Sequence, residues 1–345
     1  MAVTMKDIAR DCGVSVITVS KVLRNHADIG EKTRQRVLER VRELNYTPNL
    51  AARSLVTGRT DLVGLVVPDL EHSFFAQVAK SLSTELLKKG YCLIISTSNE
   101  DPDLEVRTIN RLLARRLDAL IIASTCSSPE HLKTVQRHGT PLILLDRNFE
   151  NLSANFVGID DELAGELATR HLIDAGCKRV AHLRGPETSP GRNRLRGYQN
   201  ALAERGLKMP AGYISSQMSS DVHSRESGSA LMRQMLRLKP RPDGIFAFND
   251  AMAIGAIAEI VRSGLRVPED VAVIGAGNLP LDEELRVPLS TIDQRTVEIG
   301  EQTAQLALTI LDAKKAPRKR SIILEPRLLA RASSARRQRR AALRA

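Results

Sequence analysis

From residue 62 to about 275, short apolar runs alternate with longer amphipathic stretches. LVGLVV (62–67), CLIIS (92–96), ALIIA (119–123), PLILLD (141–146), FVGI (156–159), RVAHL (179–183), GIFAF (244–248) and VAVIG (271–275) read as buried strands. Segments of helical periodicity fit between most of them. Continuous apolar strands separated by helices predict parallel sheets covered on both faces. The polar break RNFENLSAN (147–155) divides the series. It predicts an α/β core of two doubly wound parallel-sheet lobes, with ligand bound in a cleft outside the carboxyl ends of the strands.

The first 45 residues are patterned differently. Helices are predicted over about 5–12, 15–24 and 31–45, the last because Val37, Leu38, Val41 and Leu44 recur at helical spacing before Pro48 and Asn49 end it. Residues 13–23, GVSVITVSKVL, resemble a strand because β-branched side chains dominate. No second strand lies nearby to pair with them. Gly13 supplies a turn after the helix MKDIARDC, and Ser15 stands where an N-cap is wanted. The segment therefore reads as a helix. Val19 and then Val22 or Leu23 point inward toward Ile8 and Val37/Leu38, leaving Val16, Ile17, Ser20 and Lys21 outside.

An exposed Val-Ile pair on a short helix has two readings. It packs against a neighbouring domain, or it reads thymine methyls in the DNA major groove while Lys21 reads guanine. Under the second reading, the hydroxyls of Ser15, Thr18 and Ser20 suit phosphate oxygens.

Charge changes this picture. Residues 1–59 carry 11 Lys/Arg against 6 Asp/Glu, residues 314–345 carry 12 against 1, and the rest carries 28 against 33. Basic ends on a slightly acidic body suit a polyanion gripped at one end, the alternative being a solvated face plus a disordered basic tail. No secretory signal opens the chain, and no apolar run reaches the roughly 18–20 residues that span a bilayer. Cys12, Cys92, Cys126 and Cys177 are scattered, without a C-x-x-C pair or clustered histidines. Reduced thiols in a cytoplasmic protein are expected, with no disulfide, zinc or other metal.

TMKDIARDCGVSVITVSKVL resembles the helix-turn-helix headpiece of the lactose/galactose-repressor (LacI/GalR) family of bacterial regulators. The resemblance continues through TRQRVLERVRELNYTPNLAARSL, LLDR (144–147), GRNRLRGYQNAL (191–202), FNDAMAIGAI (248–257), GLRVPEDVAVIG (264–275) and VPLSTIDQ (287–294). It implies an all-α headpiece at 1–47, a hinge helix or linker at 48–59, and a periplasmic-binding-protein-like core at 60–331. In that core the first lobe takes about 60–159 and 291–320, the second about 160–290 and 321–331. A basic tail at 332–345 is expected to be disordered. Its single leucine gives no heptad for tetramers, so a homodimer is expected on a pseudo-palindromic double-stranded DNA operator.

Carried over residue by residue, the family's base readers fall on Val16, Ile17 and Lys21. Thr4, Ser15, Thr18, Ser20, Thr33, Asn45 and Tyr46 fall at backbone-contacting positions. Ala52 and Leu55 lie in the hinge, Leu55 as the minor-groove wedge. Gly30 replaces a serine often found at the start of the third helix, which removes one phosphate contact. For the effector, the resemblance points to Asp69, Phe74, Asp146, Arg147, Arg194, His223, Asn249, Gly277, Asn278 and Gln294. His223 stands near a usual aromatic. Gly277 replaces an aspartate that holds a ligand hydroxyl. With Arg147 and Arg194 nearby, this departure admits a sugar acid beside a plain sugar.

GAGNLP (275–280) imitates the dinucleotide fingerprint, but Pro280 stands where the motif continues and the segment ends a strand late in the chain. No cofactor and no catalytic constellation is read, so an enzyme is disfavoured. The rival from another class, a transport-type solute-binding protein, would need a signal sequence and lack the headpiece.

Overall fold

In a computed structural model describing residues 3–23, 25–46, 58–218 and 223–336, the strand-like GVSVITVSKVL forms a helix. The chain divides into two units, Met1–Thr60 and Asp61–Ala345. In the first, α1 (Met5–Asp11), α2 (Val16–Leu23) and α3 (Glu31–Glu43) bury Ile8, Ala9, Cys12, Val19, Val22 and Val37 together. Leu23 and Leu38 pack at the rim of that cluster.

Each helix stops by the same local device. After α1, Gly13 turns left-handed (φ +57°), its N–H donating to Arg10 and that of Val14 to Ala9. Asn25 after α2 and Asn45 after α3 do the same at φ +55° and +46°. Glycine and asparagine tolerate this conformation, and the paired bonds satisfy carbonyls the helix end would leave orphaned.

The second unit holds two sheets. In order across the first are β10 (Ser321–Leu324), β5 (Asn155–Ile159), β4 (Leu142–Leu145), β3 (Ala119–Ile122), β1 (Leu62–Val67) and β2 (Cys92–Thr97), all parallel. The second runs β11 (Arg327–Leu329), β9 (Ser290–Asp293), β8 (Ala272–Ala276), β7 (Gly244–Ala247) and β6 (Val180–Leu183), with β11 alone antiparallel. The eight strands read from sequence form within a residue of their predicted ends. β3 and β4, buried at every position, explain why: both faces are covered, so their sequence is apolar throughout.

The assignment of segments to lobes needs correction. β9 belongs to the second sheet, and residues 321–324 complete the edge of the first by pairing with β5. The chain therefore crosses between lobes after Ile159, after Asp293 and after Leu324. β10 was misplaced because an edge strand is only half covered, and Ile323 is exposed. Nor does disorder begin at 332. Ala332–Ser334 forms a 3-10 turn with Ser333 and Ser334 buried, and the Ser333 hydroxyl donates to Val273 at 2.7 Å. Residues 337–345 lie outside the described residues.

Helices α4 (Ser73–Leu87), α5 (Pro102–Leu113) and α6 (Glu130–Arg137) belong to the first lobe. α7 (Asp161–Asp174), α8 (Ser189–Glu204), α9 (Ser224–Met235) and α10 (Asp250–Arg262) belong to the second, and α11 (Thr296–Asp312) returns to pack on α4. α7 and α8 meet backbone to backbone at two glycines. A Cβ on Gly165 would lie 2.2 Å from the Arg194 carbonyl oxygen, and one on Gly197 would lie 1.9 Å from that of Glu162. This approach is what sets Asp161 beside Arg194.

Beneath that contact, His182 of β6 stacks between Phe246 (ring centroids 4.6 Å apart) and Tyr198 (5.4 Å). Its Nδ1–H donates to the Phe246 carbonyl at 3.0 Å, while its Nε2 is buried without a hydrogen-bond partner among the described residues. Burial pushes the imidazole down from 6.5 to about 4, with Arg194 and Arg184 adding to the effect. The unfolded chain binds this proton more readily, so stability is complete above about pH 6.5 and falls as pH drops toward 4. His182→Asn keeps a donor for Phe246 and removes the titration. Melting temperatures across pH 4–8 are expected to show a shallower acid decline for the variant.

Candidate functional site

The outer face of α2 carries the expected group. Ile17 is 68% exposed and Val16 36%, while Ser20 and Lys21 are half-buried beside them. Ser15 caps the helix: the Thr18 N–H donates to its hydroxyl at 3.1 Å, and the two hydroxyls lie 2.9 Å apart. Thr4 caps α1 through a reciprocal box with Asp7, whose carboxylate accepts from the Thr4 N–H at 3.0 Å and hydroxyl at 2.7 Å. Thr33 sits in the first turn of α3, behind a Gly30 that offers no side-chain cap. Asn45 supplies the left-handed turn, and Tyr46 packs against the small core.

One partner was not foreseen. Asp28 holds the Lys21 ammonium at 2.5 Å, and that hydrogen bond lowers the Asp28 carboxyl. Lys21 must leave this acid to reach a base. Ala52 and Leu55 lie outside the described residues.

In the core, a narrow cleft opens between the carboxyl ends of the two sheets. Six expected residues line it: Phe74, Asp146, Arg147, Arg194, Asn249 and Gln294. Arg147 donates to Glu100 at 2.8 and 3.3 Å and to the Ser124 carbonyl at 3.3 Å, with its guanidinium over Phe75. Arg194 donates through Nε to Asp161 at 2.8 Å, through Nη1 to the Phe248 carbonyl at 2.8 Å and through Nη2 to Gln294 at 3.0 Å. It also lies over the Phe248 ring, 4.8 Å from its centroid. Burial raises the Asp161 carboxyl and the adjoining guanidinium opposes the rise. Asn249 uses its side-chain oxygen to cap α10 and its amide to donate to Ser224.

Four expected residues are not on the cleft wall. Gly277 has no side chain to offer, and a Cβ there would lie 2.6 Å from a carboxylate oxygen of Asp250. Asp250 takes that space, accepting from the Thr291 hydroxyl at 2.7 Å. Burial pushes its carboxyl well above the usual range, and the charge of Asp282 adds to the push. Asn278 is turned to Arg331, which donates to it at 3.0 Å. Asp69 folds onto its own turn, accepting from the Glu71 N–H, and His223 sits exposed at the start of α9 in left-handed conformation.

The cleft also holds residues that the sequence reading missed, chiefly Phe75, Phe248 and Thr188. Thr188 precedes α8 at its cap position yet makes no cap bond. Its buried hydroxyl has no partner among the described residues, the state of a group built to meet a ligand.

A helix-turn-helix unit joined in one chain to a two-lobed ligand cleft defines a ligand-responsive DNA-binding regulator. The family description "Bacterial regulatory proteins, lacI family" matches residues 4–49, and "Periplasmic binding proteins and sugar binding domain of LacI family" matches 60–332. The chain belongs to the LacI family of bacterial transcriptional regulators.

Among curated relatives, the ribose operon repressor of Escherichia coli K12 is 33% identical, the match covering 89% of this chain and 92% of that protein. The HTH-type transcriptional repressor PurR of Mannheimia succiniciproducens is 31% identical over 96% and 98%. Among solved structures, the lac repressor dimer bound to operator and the anti-inducer ONPF superposes with a TM-score of 0.84 at 26% identity, covering 97% and 99%. The regulator CelR in complex with cellobiose gives 0.73 at 28% identity over 96% and 99%. Among the described residues, no helix is long and apolar enough to cross a membrane.

Proposed function

We propose that this regulator is a cytoplasmic, homodimeric repressor with no catalytic role, controlled by a neutral polyhydroxylated effector of the sugar class. The observation that carries the effector reading is the pairing of both cleft arginines. Arg147 faces Glu100 and Arg194 faces Asp161, and Asp146 adds a further carboxylate to the wall. A ligand carboxylate would meet no uncompensated cation there. A hydroxyl group would meet guanidinium and threonine donors above an aromatic floor of Phe74, Phe75 and Phe248, the composition that suits a sugar ring. Relatives named for ribose and cellobiose support the same class.

In this reading Val16, Ile17 and Lys21 read bases, Ser15, Thr18 and Ser20 contact phosphates, and Ala52 and Leu55 engage the minor groove. The three inter-lobe crossings act as a hinge. The effector changes operator affinity only by binding one closure state more tightly than the other. Selection of bound DNA sites with and without a metabolite panel, followed by calorimetry on the hits, tests the proposal. Neutral sugars are expected to bind and to shift operator occupancy. Uronates binding in their place would overturn the effector class.

A further inference from the structure

The first lobe carries a second cluster that the regulator's function does not use. Glu105 of α5, Cys126 after β3 and His131 of α6 bring a carboxylate oxygen, a thiol sulfur and an imidazole nitrogen within 4.8 Å of one another. The three residues form no spacing motif in sequence; the fold gathers them at the carboxyl end of β3. From this geometry we infer a binding site for a borderline divalent metal ion of the zinc class.

Glu105 is the anchor. It is fully buried, and its Oε2 is held by the Thr125 N–H at 2.6 Å and hydroxyl at 2.9 Å. Its Oε1 lies 2.6 Å from the Ser124 hydroxyl and 2.8 Å from His131 Nε2. Backbone and hydroxyl donors that fix a carboxylate in this way are the outer shell that orients a metal ligand. A hydrogen-bonded Glu–His pair on its own would serve only to tie the loop to the helix. Cys126 brings a sulfur that such a tie does not need: it meets the Pro102 carbonyl at a long 3.9 Å, faces the same Glu105 carboxylate and the Ser124 hydroxyl, and sits half-exposed beside the pair.

Zinc bonds of about 2.0–2.3 Å in a tetrahedron separate their donor atoms by roughly 3.3–3.8 Å. The His131–Glu105 contact would open by about half an ångström and the widest pair would close by at most about one. Sulfur and imidazole ligands favour Zn²⁺ and Co²⁺ over the oxygen-seeking Mg²⁺ and Ca²⁺. With three protein ligands and partial exposure, a fourth position faces solvent.

The test uses the full-length untagged chain titrated with Co²⁺. One equivalent is expected to produce thiolate-to-cobalt charge transfer and the d–d bands of a four-coordinate ion, abolished by excess Zn²⁺ and unaffected by Mg²⁺. Cys126→Ser should lose the charge-transfer band, and His131→Gln, which retains a donor for Glu105, should weaken binding at least tenfold. Cys92→Ser should leave the spectrum unchanged. Melting of each variant in chelator confirms that it folds. Absence of a stoichiometric band, its survival in Cys126→Ser, or its loss in Cys92→Ser overturns the site.

Discussion

Replacing Arg194 with methionine is expected to destabilise the core by about 3–5 kcal/mol and to leave a regulator deaf to its effector. The guanidinium is buried, and its three nitrogens bond the Asp161 carboxylate, the Phe248 carbonyl and Gln294. Methionine fills much of the volume but abandons a carboxylate in a site that water does not reach. Most of the cost is the penalty on Asp161, not the loss of the bond itself. Pairing Arg194→Met with Asp161→Asn should recover much of that stability by removing the stranded charge. It should not recover the response, because the cleft still lacks its donors. Chemical denaturation reads the first effect and effector-induced change in operator binding reads the second. If the double variant responds normally, Arg194 is a structural residue only.

The second large effect lies on α2. Val16→Ala combined with Ile17→Ala is expected to cost about 1–3 kcal/mol for each base pair read, counted at both half-sites of a dimeric operator. The decisive measurement replaces operator thymines with uracil, which removes the methyl group and nothing else. Native protein should lose affinity wherever Val16 or Ile17 touches a methyl. The double-alanine variant should not, and the difference is the coupling energy of the contact. Equal losses for both proteins would show that these side chains read something other than methyls. Lys21→Ala should alter preference at a guanine, and since Asp28 restrains the ammonium, Asp28→Asn should not weaken the same site.

Much of this was legible because the residues announce their surroundings. The strands covered on both faces, such as β3 (ALII) and β4 (LILL), are apolar at every position, and α2 betrayed itself by having no strand to pair with. What escaped was weakly patterned. β9 (STID) and β11 (RLL) are short and carry polar side chains, and β10 sits at an edge where one face is wet. The cleft divides in the same way. Arg194 and Asn249 lie in specific motifs and line it, whereas Gly277 and Asn278 were assigned from a pattern this chain departs from. Asp250, 27 residues earlier in the chain but adjacent in space, fills the vacated position, a contact that no local sequence pattern announces. The partners of the two arginines are equally long-range: Glu100 is 47 residues from Arg147, and Asp161 is 33 from Arg194.

That internal neutralisation separates how the two halves of the molecule meet their surroundings. A protein that grips phosphates releases counter-ions, so its hold on DNA weakens steeply as ionic strength rises. An uncharged ligand entering a cleft whose guanidiniums are already matched displaces no ions, and buried pairs are poorly screened. Rising ionic strength would therefore loosen the grip on DNA while leaving the cleft's own affinity for an uncharged ligand nearly unchanged.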